Sequence, residues 1–406
     1  LFISYFNYLY TPEKQRRLMW NFDEIIDREG TDCIKYDWRK EVFGRNDVIP
    51  MWVADMDFKT PPFILEAISE RLKHEILGYS FRPDSYFDAF INWVKARHEW
   101  NIQREWIEFS PGVVPALNIC TLAYTNEGDE IIIQPPVYTP FHRAVKDHRR
   151  KLVYNTLRET AAGWVMDLEG LRNIISPATK MIIISNPHNP VGRAWQLREL
   201  AELVDICYEK GIVILSDEIH SDLVLPGNQH VPVASLSERA AAITVTCMAP
   251  SKTFNLAGLS TSSTIIADRV LRDKYKQTLE NIHIHLGNIC GNVASEAAYT
   301  NGMEWLSELI AYIQGNVDLV MTYCHERIPH IKPVRPEATY MMWLDCREMG
   351  LSGKELQRFF VEQAGIGMNE GSSFGPGGEG FMRINLACPR STIEKALKQI
   401  DQAINA

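Results

Sequence analysis

The stretch KMIIISNPHNPVGRAWQLRELAELVDICYEKGIVILSDEIHSDL, residues 180–223, decides the fold. It opens on a short apolar run, 180–185, rich in β-branched residues, which reads as a buried strand. Residues 194–210 then carry apolar side chains at three- and four-residue spacing and stop at Gly211, the pattern of an amphipathic helix. A second buried run follows at 212–216 and ends at Asp217.

The same alternation extends outward. Buried runs recur at 130–134 (EIIIQ), before Pro135-Pro136, and at 243–248 (ITVTCM), before Ala249. Strands alternating with helices over 110–265 predict an α/β domain, a mostly parallel sheet sandwiched by helices. From about 280 to 325 the pattern is continuously helical. Strand-like runs at 335–345 and 381–387, separated by a helix at 353–364, predict a smaller α+β domain. The expected division is a large α/β domain over 61–295 and a small C-terminal domain over 296–406, with the N-terminal segment 19–60 joining the small domain. Residues 1–18 lack an initiator Met, Met19 follows closely, and no basic leader precedes their apolar run. They are expected to lie upstream of the natural start, the alternative being an arm that rests on a partner subunit.

Composition narrows the function. Among 406 residues, 42 basic and 51 acidic side chains leave a net charge of −9, which repels nucleic-acid phosphates and anionic lipid. The eight cysteines form no CxxC pair, which argues against a zinc site and a disulfide framework and for reduced thiols in a cytoplasmic protein. No run approaches the ~18 apolar residues of a membrane span. Gly375-Pro376-Gly377-Gly378-Glu379-Gly380 spells GxGxxG but precedes a strand-like run and opens no helix, so it reads as a flexible loop and not a dinucleotide fingerprint. His283 and His285, two apart in a helical region, face different directions and make a poor metal pair.

Ligands in open α/β sheets sit at the carboxyl ends of strands. There the chain delivers Tyr138 in PPVYTPF, Asn186 and Asn189 in NPHNPVGR, Asp217 and His220 in DEIHSD, and Ser251 and Lys252 in APSKTFN. Earlier, FSPGVVPALN places Gly112, Val113 and Val114 at a helix start, where backbone N–H groups bind phosphate. Taken singly, Lys252 could be a solvated charge, Asp217 an N-cap and Tyr138 core. But Lys252 lies between a buried strand and small or apolar residues, where a surface lysine is unexpected. One ligand uses all five features: pyridoxal 5′-phosphate (PLP), with a lysine for its aldehyde, a carboxylate for its ring nitrogen, an aromatic for its face, an amide for its phenolate and a helix start for its phosphate.

The ordered motifs MWVADMDF (51–58), SPGVVPAL (110–117), QPPVYTPF (134–141), DEIHSDL (217–223) and SKTFNLAGL (251–259), with Arg383, resemble PLP-dependent enzymes of the aspartate aminotransferase fold. More narrowly, they are similar to the cystathionine β-lyase branch called the MalY/PatB family, from about Met19 to the C-terminus. The resemblance implies that Lys252 condenses with the cofactor aldehyde and then serves as base. It implies that Asp217 pairs with the ring nitrogen, Asn189 bonds the ring O3′ and Tyr138 stacks on the ring. It places His220 beside the cofactor, gives Val113, Val114 and Ser251 to its phosphate, and gives Arg383 and Ala54 to the substrate, with Arg383 on the α-carboxylate. It further implies a homodimer in which Tyr79 reaches the neighbouring subunit's phosphate.

Against the aminotransferase pattern, His220 stands where a Tyr is usual, Ala249 where a phosphate-binding Ser is frequent, and Ser260 where an Arg is frequent. These departures fit the lyase branch. Within that branch, Thr139 replaces a frequent second Tyr. The implied reaction is α,β-elimination of an L-cysteine S-conjugate such as cystathionine, giving pyruvate, ammonia and a thiol. Transamination by the same site is the rival; a PLP-binding regulatory protein is the non-enzyme alternative, against which the retained Lys252, Asp217 and Arg383 all speak.

Overall fold

The computed structural model describes residues 19–406 apart from 162 and 285. The expectations for residues 1–18 and for His285 therefore lie outside the described residues.

A seven-stranded sheet forms the centre, in the spatial order Ile107–Ser110, Ser262–Ile266, Thr244–Met248, Val213–Asp217, Thr179–Ser185, Glu130–Ile133, Lys151–Tyr154. Only Ser262–Ile266 runs antiparallel to its neighbours. The runs read as buried strands are buried because helices cover both faces. One apolar layer gathers Ile182, Ile184 and Ile214 with Leu200 and Leu203; the other gathers Ile131, Ile133 and Ile183 with Leu117 and Phe141. The helix Leu197–Lys210 ends at Gly211, whose φ of 64° is the left-handed conformation that closes a helix without a Cβ penalty.

A four-stranded antiparallel sheet, in the order Lys332–Val334, Met341–Asp345, Phe381–Asn385, Asn369–Glu370, lies in the C-terminal part of the chain. Ile49–Pro50, from the N-terminal segment, pairs in parallel with Ile366–Gly367.

Three readings need correction. The continuous helix expected over 280–325 is divided into Arg269–Asn281, Ile289–Asn301 and Met303–Arg327. Asn288 starts the middle one, its side chain accepting from Gly291 N at 2.6 Å. Gly302 separates the last two, where a Cβ would collide with the Phe254 ring. His283 accordingly sits past the end of a helix, at a φ of 56°. The glycine-rich loop is also not loose. Gly371 packs directly on the Gly378 backbone, leaving no room for a Cβ on either. The strands Ile107–Ser110, Lys151–Tyr154 and Ser262–Ile266 escaped the periodicity reading, since they are short, edge-lying or rich in Ser and Thr.

Candidate active site

In-register strand ends deliver the site. Ser185 is paired with Asp217, and Asp217 with Cys247, so three adjacent strands stop at one level. The cavity at that level is lined by Gly112, Val113, Val114, Tyr138, Asn189, Asp217, His220, Ser251, Lys252 and Ala54, with Ser260 and Thr261 beside them. Gly112 immediately precedes the helix Val113–Tyr124. Lys252 lies in the single turn Pro250–Thr253 that follows the strand Thr244–Met248.

Burial sets the charges. Among the described residues the Asp217 carboxylate accepts one hydrogen bond, from Ile219 N at 3.1 Å, and forms no ion pair. Removal from water pushes its carboxyl up to about 7. The Lys252 amine borders the cavity but lies deep among protein atoms; burial, with Arg383 nearby, lowers it to about 8. Its Nζ donates to the Ala54 carbonyl at 2.6 Å. His220 is buried, with burial and the neighbouring Lys252 and Arg383 holding it well below its ordinary value, so it is neutral. Its Nδ1 has no hydrogen-bond partner among the described residues.

Arg383 does not line the cavity but bonds to Asn189, which does. Its Nη1 donates to Asn189 Oδ1 at 3.0 Å, and its Nη2 to Trp52 O and Asn369 Oδ1 at 2.8 Å each. Nε is buried without a partner, and no carboxylate pairs with this guanidinium among the described residues. Burial lowers it to about 10.

These residues fit PLP. A buried carboxylate short of a cation suits a protonated ring nitrogen, an amine without a carboxylate suits an aldehyde, and a helix start lined by Ser251 and Ser260 suits a phosphate. Tyr79 is the exception. It is 97% exposed and lies in a separate apolar groove with Leu72, Leu77, Leu286 and Ile289.

Sequence reading missed Tyr340. It is buried, donates to the Ala54 carbonyl at 3.0 Å and meets the His220 ring edge-on at 6.0 Å. No local pattern distinguishes it from a core aromatic.

Residues 46–400 match the family model of aminotransferase class I and II. The chain belongs to the aminotransferase class I and II family. It is 44% identical to cystathionine β-lyase PatB of Bacillus subtilis (strain 168), over 95% of this chain and 100% of PatB. Among solved structures, this family member is similar to a PLP-bound candidate aminotransferase from Clostridium difficile 630, with a TM-score of 0.93 and 44% identity over 95% of this chain and 100% of that one. It is similar also to PLP-containing cystalysin from Treponema denticola, with a TM-score of 0.93 and 35% identity over 96% and 99%. The fold expected from the alternating strands and helices is the fold of these family members.

Proposed function

We propose that this chain is a PLP-dependent carbon–sulfur β-lyase. It converts L-cystathionine, or a related L-cysteine S-conjugate, and water into pyruvate, ammonia and a thiol. The observation that carries this reading is a cavity lined by an amine lowered to about 8 and by Asn189, to which a guanidinium without an acidic partner among the described residues is bonded. A related chain with 44% identity is named a cystathionine β-lyase, which supports elimination over other uses of such a site.

PLP supplies, when bound, an aldehyde for amines and a ring that takes up the electron pair released at Cα. The chain does the rest. Lys252 would hold the cofactor aldehyde, and its amine, in the neutral form, would take the Cα proton. Arg383 binds the substrate α-carboxylate, a planar fork meeting a planar anion, and the Ala54 segment borders the same substrate. Asp217 would bond the ring nitrogen, and a cation there would favour the anionic form of its carboxyl. Asn189 would bond O3′, and Tyr138 and His220, which line the same cavity, would flank the ring. Backbone N–H groups at Val113 and Val114, with the Ser251 hydroxyl, would hold the phosphate.

The working unit is a cytoplasmic homodimer in which Tyr79 of the partner subunit completes the phosphate site. Its exposure in an apolar groove supports this, because contiguous exposed apolar surface marks a contact. All eight cysteines are free thiols, in keeping with a reducing compartment.

The test is purified protein with L-cystathionine and no keto acid. Sustained pyruvate release is expected; turnover that requires an added keto acid would replace this reading with transamination.

A further inference from the structure

The segment 51–58 meets the cavity through one residue, Ala54. The Ala54 carbonyl accepts both the Lys252 amine, at 2.6 Å, and the Tyr340 hydroxyl, at 3.0 Å. The neighbouring carbonyls are also held. Arg383 Nη2 donates to Trp52 O, and Asn385 Nδ2 donates to both Val53 O and Asp55 O at 2.6 Å. Asn255 donates to Met56 O and accepts from Met56 N, each at 2.9 Å.

The side chains of the segment are held by charge. Arg28 reaches Asp55 Oδ2 at 2.7 Å, Asp57 Oδ1 at 2.6 Å and Met56 O at 3.1 Å. Lys35, only 1% exposed, reaches Asp57 Oδ2 at 2.8 Å and Asp55 Oδ1 at 3.5 Å, while its own carbonyl accepts from Trp52 Nε1 at 3.0 Å. None of these four charged side chains lines the cavity. Removing one partner of such a pair strands the other's charge, so these pairs constrain where the segment can lie.

We propose that Arg28, Lys35, Asp55 and Asp57 are positioning residues: their partly buried ion-pair cluster fixes the backbone of 52–57 so that the Ala54 carbonyl aims the Lys252 amine at the reacting centre. The inference rests on the role proposed above for Lys252. The cluster also balances charge beside that amine. Lys252 feels Asp55 and Asp217, which favour its protonated form, and Arg383, which opposes it, with neutral His220 alongside. The cluster itself is faced by Tyr36, Cys33 and Cys388, with Arg39 across the Tyr36 ring. Loss of the Lys35 charge leaves an excess of carboxylate near Lys252 and keeps its amine protonated to higher pH.

The full chain, stripped of cofactor, is compared with Lys35→Met and with Lys35→Met/Asp57→Asn. Two signals are followed: amide hydrogen exchange over 51–58, and the pH dependence of the rate at which added PLP is captured, read by visible absorbance. Lys35→Met is expected to exchange about tenfold faster over 51–58, with Thr244–Met248 unchanged, and to capture PLP with a midpoint at higher pH. The double variant, charge-balanced, is expected to keep the faster exchange while its midpoint returns towards that of the parent. Unchanged exchange over 51–58 together with an unchanged capture profile in folded Lys35→Met would overturn the proposal. If Lys35→Met does not fold, parent-like exchange in the double variant overturns it instead. Failure of the parent chain to capture PLP would defeat the proposed function, while the exchange measurement would still decide the positioning role.

Discussion

Asn189 and Arg383, 194 positions apart, share a 3.0 Å hydrogen bond in which the guanidinium donates to the amide oxygen. One strand-end loop of the large sheet is thereby tied to the strand Phe381–Asn385 of the small one. The bond settles which way the amide faces: Oδ1 is engaged by Arg383, so Nδ2 is the end left to donate to a phenolate. Arg383 in turn is held in plane by Trp52 O and Asn369 Oδ1.

Arg383→Lys is expected to raise KM for the amino-acid substrate by about ten- to a hundredfold, with a smaller change in kcat. The ammonium cannot make the paired bonds to a carboxylate, and it strands the acceptors at Asn189, Trp52 and Asn369. Steady-state kinetics separates the two constants. An unchanged KM would remove Arg383 from the carboxylate site.

Stability of the cofactor-free protein carries the mark of Asp217. Burial raises its carboxyl from an ordinary 3.8 to about 7. Between about pH 4 and 7 the folded chain keeps a proton that the unfolded chain has lost, so this group's contribution falls as pH rises and levels off above about 7. Urea titrations across that range should show the parent losing stability relative to Asp217→Asn, with the slope abolished by saturating PLP. Parallel curves for the two proteins would contradict the assignment.

Lys252→Ala is expected to lose the visible band of bound cofactor together with activity, by a factor of about 100 to 10,000 or more. Tyr79→Ala is expected to lose activity separately, by loosening the phosphate end of the neighbouring site. Mixing the two inactive proteins under conditions of subunit exchange should restore activity, because a hybrid dimer contains one site with both Lys252 and Tyr79 intact. No recovery in hybrids confirmed by mass would place Tyr79 outside the partner's site.

Gly302→Ala should destabilise the fold by about 1–3 kcal/mol, measured by urea denaturation, through overpacking. The added Cβ would press on the ring of Phe254 and the Ala298 carbonyl. Phe254 packs between Trp93 and Trp305, with ring centroids at 5.5 and 5.8 Å, and stands two residues after Lys252. A loss of cofactor affinity is expected to accompany the loss of stability.

The sequence by itself determined the α/β architecture, because the buried runs 180–185, 212–216 and 243–248 and the helix before Gly211 write their burial into periods of local chain. It also carried most of the cavity residues, since parallel strands end at one level and each strand brings its following residues there. Tertiary structure alone decided that Ala54 offers its carbonyl to Lys252, that Tyr340 shares that carbonyl, and that Arg28, Lys35, Asp55 and Asp57 form one ion-pair cluster. It alone separated Tyr79 from the cavity of its own chain. The physical reason is range: periodicity reports which face of an element is dry, whereas a hydrogen bond or ion pair between distant segments depends on how whole elements pack, and leaves no repeating trace along the chain.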